Sequence, residues 1–162
     1  EFCSWDAFVT IASGFNAHVY GPNNENAKEL NGGFLTYDDM KQKMRDSRVY
    51  VYTGTQPASY TLNFIEAQMT GIPIVALGPR YANSMSVAGD TYEIPDIMIN
   101  ASSGFWSDDL AVCREYVQKL LDDANLAKLI GDRGREVAIK NFGKDTIKQI
   151  WKTSLDKYVT KT

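Results

Sequence analysis

The sequence predicts an α/β domain, a parallel sheet with helices on both faces and a helical C-terminus. Three observations predict it. Residues 49–75, VYVYTGTQPASYTLNFIEAQMTGIPIV, read as strand, loop, helix, tight turn and strand, which is a βαβ unit. Short apolar runs alternate with helical patterns over the first hundred residues. From Ser107 onward the pattern is helical throughout.

Each element has its own signal. Trp5–Phe15 reads as a short helix, with Ser4 as N-cap and Gly14 near its end. Asn16–Tyr20 reads as a short strand closed by Gly21-Pro22. A polar loop leads to a second short strand over Gly32–Thr36. Asp38–Asp46 is helical, charged on one side with Met40 and Met44 on the other. In the βαβ unit, Val49 and Val51 alternate as a buried strand, and the helix carries Leu62, Ile65 and Met69 on one face. Gly71 stops that helix, Pro73 prevents its resumption, and Ile74–Leu77 is the next strand. Gly78–Gly89 reads as a loop with one helical turn, Tyr92–Asn100 as a turn of helix or an extended piece, and Gly104–Trp106 as a strand. Three helices follow. Ser107-Asp108-Asp109 caps the first, with Leu110, Val117, Leu120 and Leu121 inside. Asn125–Asn141 is the second, with Leu126, Leu129, Ile130, Val137 and Ala138. Gly143-Lys144-Asp145 opens the third, with Ile147, Ile150, Trp151, Leu155 and Tyr158. The aromatics Phe105, Trp106, Trp151 and Tyr158 read as core and helix-packing residues.

Composition narrows the functional classes. The 162 residues are one domain's worth of chain, and 44% hydrophobic with 23% charged residues is ordinary for a globular fold. The net charge of −3 gives no overall signature of nucleic-acid binding. The charge is uneven, however: residues 1–124 hold 8 Lys/Arg against 16 Asp/Glu, and residues 125–162 hold 9 against 4. The basic C-terminal helices read as solvated faces, or as a contact for an anionic membrane surface or an acidic partner. Cys3 and Cys113 form no motif, so a reducing compartment, the cytoplasm, is expected. No apolar run approaches 18 residues and no signal peptide is visible. The Glu-Phe start without Met reads as a cloning remnant or an internal cut, and a piece of a longer protein is expected.

The loop from Thr53 to Thr61 lies at the carboxyl end of the first βαβ strand, where open α/β sheets bind ligands. It feeds a helix N-terminus, whose free amides and dipole suit a phosphate. Neither a Walker pattern nor G-x-G-x-x-G is present. Glu66 lies about one turn into the helix between apolar neighbours; a carboxylate there needs a partner or a ligand hydroxyl, and a ribose diol fits. It can equally belong to a polar stripe with Asn63 and Thr70. Arg80, after Gly78-Pro79, suits a phosphate or a surface loop. His18 is the only histidine and reads as structural. No Ser-His-Asp spacing and no metal-ligand cluster is seen, so a metal would have to come with a substrate.

Residues 58–75, ASYTLNFIEAQMTGIPIV, resemble the donor-binding motif E-G-F-G-x-x-x-x-E-A-M-A-x-G-x-P-V-V of retaining glycosyltransferases of the GT-B fold (group 1, family 4-like). Tyr92–Trp106 is similar to the family's E-x-x-x-x-I-x-x-G-x-x-G-F segment. Leu120–Asp123 through Arg135 and Asn141-Phe142 resemble its L-L-x-D…R…x-x-F ending. Val19-Tyr20-Gly21 and Gly33-Phe34-Leu35 sit where the family has I-V-G and F-L-G-x-V strands. The resemblance runs from about residue 16 to the C-terminal helices.

The resemblance implies a three-layer Rossmann-like unit, one half of a GT-B fold, spanning residues 1–162 and lacking the N-terminal acceptor domain. It implies a hexosyltransferase-type activity using a UDP- or GDP-sugar, with that donor as substrate and no other cofactor. In this reading Glu66 takes the ribose, and Ser59, Tyr60, Thr61 and Leu62 form the diphosphate-binding helix start. Leu35 and Thr36 lie beside the nucleobase, and Gly21 and Pro22 line the donor cleft. Departures accompany it. Ala58 stands where the family has its first motif glutamate, Ser59 and Thr61 replace two glycines, and Gly54-Thr55 replaces Pro-Ser. No diphosphate-clamping Gly-Arg and Lys strand precedes Ser4. The piece is expected to bind donor without catalysing transfer alone. The alternatives are a nucleotide-sugar epimerase of the same architecture and a non-catalytic binding or assembly domain. A flavodoxin-like receiver would need an acidic strand end, and Val49–Tyr52 ends in Thr53-Gly54 instead.

Overall fold

The computed structural model describes residues 4–54, 62–84 and 92–159. Three short strands form a parallel sheet in the order β1 (Tyr50–Tyr52), β2 (Ile74–Leu77), β3 (Phe105–Ser107). Val51 pairs with Val75, and Val75 with Phe105. All four residues of the central strand β2 are buried, as a strand covered on both faces requires. Their side chains alternate between two cores. Val75 and Leu77 join Ala7 and Ile11 of α1 (Trp5–Ala12) and Cys113, Val117 and Leu120 of α6 (Leu110–Asp122). Ile74 and Ala76 join Phe64 and Ala67 of α3 (Leu62–Thr70) and Ile94 of α5 (Ile94–Ile97).

Local chemistry accounts for the helix ends. Ser4 caps α1 by accepting from the Ala7 amide. Arg114 of α6 donates to the carbonyls of Ile11 and Ser13 at the other end, its guanidinium 4.3 Å over the Phe15 ring. Thr36 caps α2 (Tyr37–Asp46), and Asp123 caps α7 (Ala124–Phe142) by accepting from Asn125 and Leu126. Gly71 ends α3 at φ +82°, the left-handed region that glycine reaches without strain.

α7 crosses the amino ends of the strands. Gly131 sits against the Gly71 carbonyl and Gly134 against that of Ser103, just ahead of β2 and β3. The carboxyl ends of the strands therefore face away from α7. α4 (Pro79–Ser84) leaves the sheet there, after β2.

Several elements differ from the sequence reading. The expected strands over Asn16–Tyr20 and Gly32–Thr36 reduce to one parallel bridge, Val19 with Asn31. Gly21 at φ +149° and Gly33 at φ +80° turn the chain too soon for longer pairing. The polar loop between them contains 3-10 turns over Glu25–Leu30. The buried face of α3 is Phe64, Ala67 and Gln68; Leu62 is 67% exposed. This helix has apolar residues on most sides, and the approach of α7 selects the inward one. Leu129 is likewise exposed. α8 (Lys144–Val159) buries no residue, so Ile147, Ile150, Trp151, Leu155 and Tyr158 face outward, and Trp151 and Tyr158 are not core residues. α7 is its main neighbour, and one helix covers too little of its circumference.

Candidate functional site

α2 packs against α3, the helix that follows the carboxyl end of β1. Glu66, five residues into α3, is half-buried there. The Tyr37 hydroxyl, from the first residue of α2, donates to Glu66 Oε1 over 3.2 Å. Thr36 fixes the start of α2: its Oγ1 accepts from the Asp39 amide at 3.2 Å and donates to Asp39 Oδ2 at 2.6 Å. Lys41 Nζ stands 4.4 Å over the Tyr37 ring and pairs with Asp38 at 2.7 Å. The bonded, charged Lys41 beside Asp38 holds that carboxyl below its ordinary value.

Two more segments adjoin the same place. The Gly21 amide donates to the Gly33 carbonyl and Gly32 to Val19, so the Gly21-Pro22 turn rests against the segment carrying Leu35 and Thr36. Phe34 in that segment is 73% exposed, a bare aromatic face two residues ahead of the α2 cap. The structure thus gathers Gly21, Leu35, Thr36 and Glu66 through a continuous run of hydrogen bonds and backbone. Pro22 and Leu62 lie exposed beside it. Ala58, Ser59, Tyr60 and Thr61 lie outside the described residues.

Arg80 is held elsewhere. Its Nε bonds Asp108 Oδ2 at 2.9 Å, while Asp108 Oδ1 accepts from the Tyr81 amide at 2.9 Å. Asp108 thus crosses from the end of β3 to cap α4, and Asp109, accepting from Ala111, is the cap of α6. Burial alone would raise the Asp108 pKa. The Tyr81 amide and the Arg80 guanidinium outweigh it and hold the carboxyl below its ordinary value. Arg80, Asn100, Trp106, Asp108 and Tyr116 line a cavity of about 360 Å³ at this end of the sheet. A second cavity, about 310 Å³ with Arg45, Arg48 and Lys128 on its walls, lies at the opposite, amino end.

His18 is exposed and bonds Asn16 at 3.1 Å, a local contact. Among the described residues no group of three or more His, Cys, Asp or Glu could hold a metal ion, and no helix is long and apolar enough to cross a membrane. Sequence reasoning missed Tyr37 and the crossing role of Asp108. Both contacts join residues nearly thirty positions apart, and no local spacing signals them.

No protein-family model matches the sequence, and no curated protein sequence matches it. Solved structures match in fold. Sucrose-phosphate synthase from Thermosynechococcus elongatus superposes with a TM-score of 0.64 at 17% identity, over 85% of this chain and 32% of that one. A TarM variant from S. aureus, in complex with fondaparinux, alpha-GlcNAc-glycerol and UDP, gives 0.71 at 18% identity, over 94% and 33%. HepE from Anabaena, in complex with UDP, gives 0.70 at 17% identity, over 96% and 46%. The α/β half-domain with its helical C-terminus is therefore the fold of this chain. The chain spans between a third and a half of the length of these proteins.

Proposed function

We propose that this chain is the nucleotide-sugar-binding half of a retaining glycosyltransferase. A sugar passes from a nucleoside-diphosphate donor to an acceptor held by an N-terminal domain, in cis or in trans. The observation that carries this reading is Glu66, a half-buried carboxylate held by Tyr37 at the carboxyl end of β1, beside Gly21, Leu35 and Thr36. A carboxylate accepts from both hydroxyls of a ribose, and the positive dipole end of a helix such as α3 suits a diphosphate. Two of the fold neighbours were solved with UDP, which supports the same ligand class here. Ser59, Tyr60, Thr61 and Leu62 would line the diphosphate, and catalysis would rest on positioning and on stabilising that leaving group. Arg80 joins the site only by leaving Asp108. In this reading the protein acts in the cytoplasm, and its basic C-terminal helices offer a peripheral contact for an anionic membrane. Calorimetric titration of the 162-residue chain with UDP, GDP and ADP tests the proposal. Saturable binding of one of them is expected; no binding of any overturns it.

A second reading is favoured by Ala58, which stands where the family resemblance places a donor-facing glutamate. It is a binding domain without transferase activity. Ala58→Glu in the full-length protein separates the two: a gain in sugar transfer supports the enzyme, and unchanged inactivity supports the binding domain.

A further inference from the structure

The Tyr37 hydroxyl is a fixed donor. Its backbone is set by the Thr36 cap, its ring lies under Lys41, and Lys41 is pinned by Asp38. A tyrosine that is 58% exposed at a helix start would otherwise be free to turn. The hydroxyl of this ring donates to Glu66 Oε1. An ionised carboxylate has about four acceptor sites. Tyr37 occupies one of them, and among the described residues no other group bonds Oε1 or Oε2.

From this geometry we infer that Tyr37 is the positioning residue of the site, holding the Glu66 carboxylate ready for a vicinal diol so that it selects ribonucleoside over 2′-deoxyribonucleoside diphosphates. The inference rests on the nucleotide-binding reading above. A freely rotating glutamate gives up side-chain entropy when it binds the diol; a glutamate already held gives up less. A ligand without the 2′-hydroxyl cannot bridge the carboxylate and gains little from its being held. The hydroxyl of Tyr37 therefore matters for one ligand and not for the other. A purely structural tyrosine would affect both alike.

The test is calorimetry on the 162-residue chain with whichever of UDP, GDP and ADP binds tightest, and with its 2′-deoxy counterpart. The wild-type chain should prefer the ribonucleotide by roughly tenfold or more, the scale of a hydrogen bond to a charged group. Tyr37→Phe should weaken the ribonucleotide about three- to tenfold and leave the deoxynucleotide within about twofold. Glu66→Gln should reduce the preference further, with the deoxynucleotide again little changed. Thermal melting of both variants should match the wild type, since neither side chain is in the core. Equal weakening of both ligands by Tyr37→Phe, or an unchanged preference, overturns the inference. Wild-type binding without ribose preference also overturns it and leaves the nucleotide-binding reading standing. Failure of all three nucleotides to bind overturns both.

Discussion

Tyr37 and Glu66 lie 29 positions apart in sequence and share a hydrogen bond of 3.2 Å that joins the first turn of α2 to the middle of α3. The bond fixes one oxygen of a half-buried carboxylate on the helix that follows β1. Replacing Glu66 removes the group to which the candidate site converges. Glu66→Ala should weaken nucleoside-diphosphate binding by about 1–3 kcal/mol in calorimetry, while the melting temperature stays close to that of the wild type. Unchanged affinity would sink the assignment of Glu66 to the ribose.

Asp108 ties β3 to α4 through the Tyr81 amide, and its removal should cost about 1 kcal/mol in chemical denaturation, as the loss of a helix cap does. The guanidinium adds less, because the Arg80 side chain is 89% exposed and the pair is screened. Arg80→Ala should change stability by less than about 1 kcal/mol.

The pH dependence of that cap has a definite sign. The folded carboxyl of Asp108 titrates below the ordinary value, about 3.9 when unfolded. Its stabilisation is therefore complete above that value and is lost as the pH falls through the folded one. The stability gap between wild type and Asp108→Asn should be constant from pH 7 to 5 and shrink below pH 4 or so. A gap that persists into strong acid would contradict the assignment.

Gly131 permits α7 to touch the turn that ends α3. A methyl group there would collide with the Gly71 carbonyl oxygen, which is backbone and cannot swing aside. Gly131→Ala should destabilise the chain by about 1–3 kcal/mol or more, although alanine is the better helix former. A stabilised variant in urea unfolding would show that α7 packs differently.

Gln68 is 1% exposed, and among the described residues neither its Oε1 nor its Nε2 has a hydrogen-bond partner. Such an amide carries an uncompensated desolvation cost. Gln68→Met, of similar volume, should raise stability by about 1 kcal/mol in denaturant titration. A loss of stability would point to a partner for the amide.

Much of the fold was legible in sequence because its signals are local. Ser4, Gly71-Pro73 and the buried run Ile74–Leu77 mark ends and strands through their own backbone preferences, and α1, α3, β2 and the three C-terminal helices follow. The site was legible in part. Glu66 stood out as an acid among apolar neighbours, and Gly21, Leu35 and Thr36 were drawn to it by resemblance to a family motif. The two expected strands around Gly21 and Gly33 were not, since short β pairing depends on a neighbour that sequence does not show.

The sequence by itself determined the βαβ unit at residues 49–75, the three C-terminal helices and a carboxylate on the helix that follows the first strand of that unit. Tertiary structure alone decided which face of α3 turned inward, that Asp108 caps α4 rather than α6, and that Tyr37 holds Glu66. The reason is physical. Caps and periodicities act over three or four residues, whereas a helix with apolar groups on most sides takes its orientation from what packs against it. A hydroxyl finds a carboxylate 29 residues away only once the fold has packed α2 against α3.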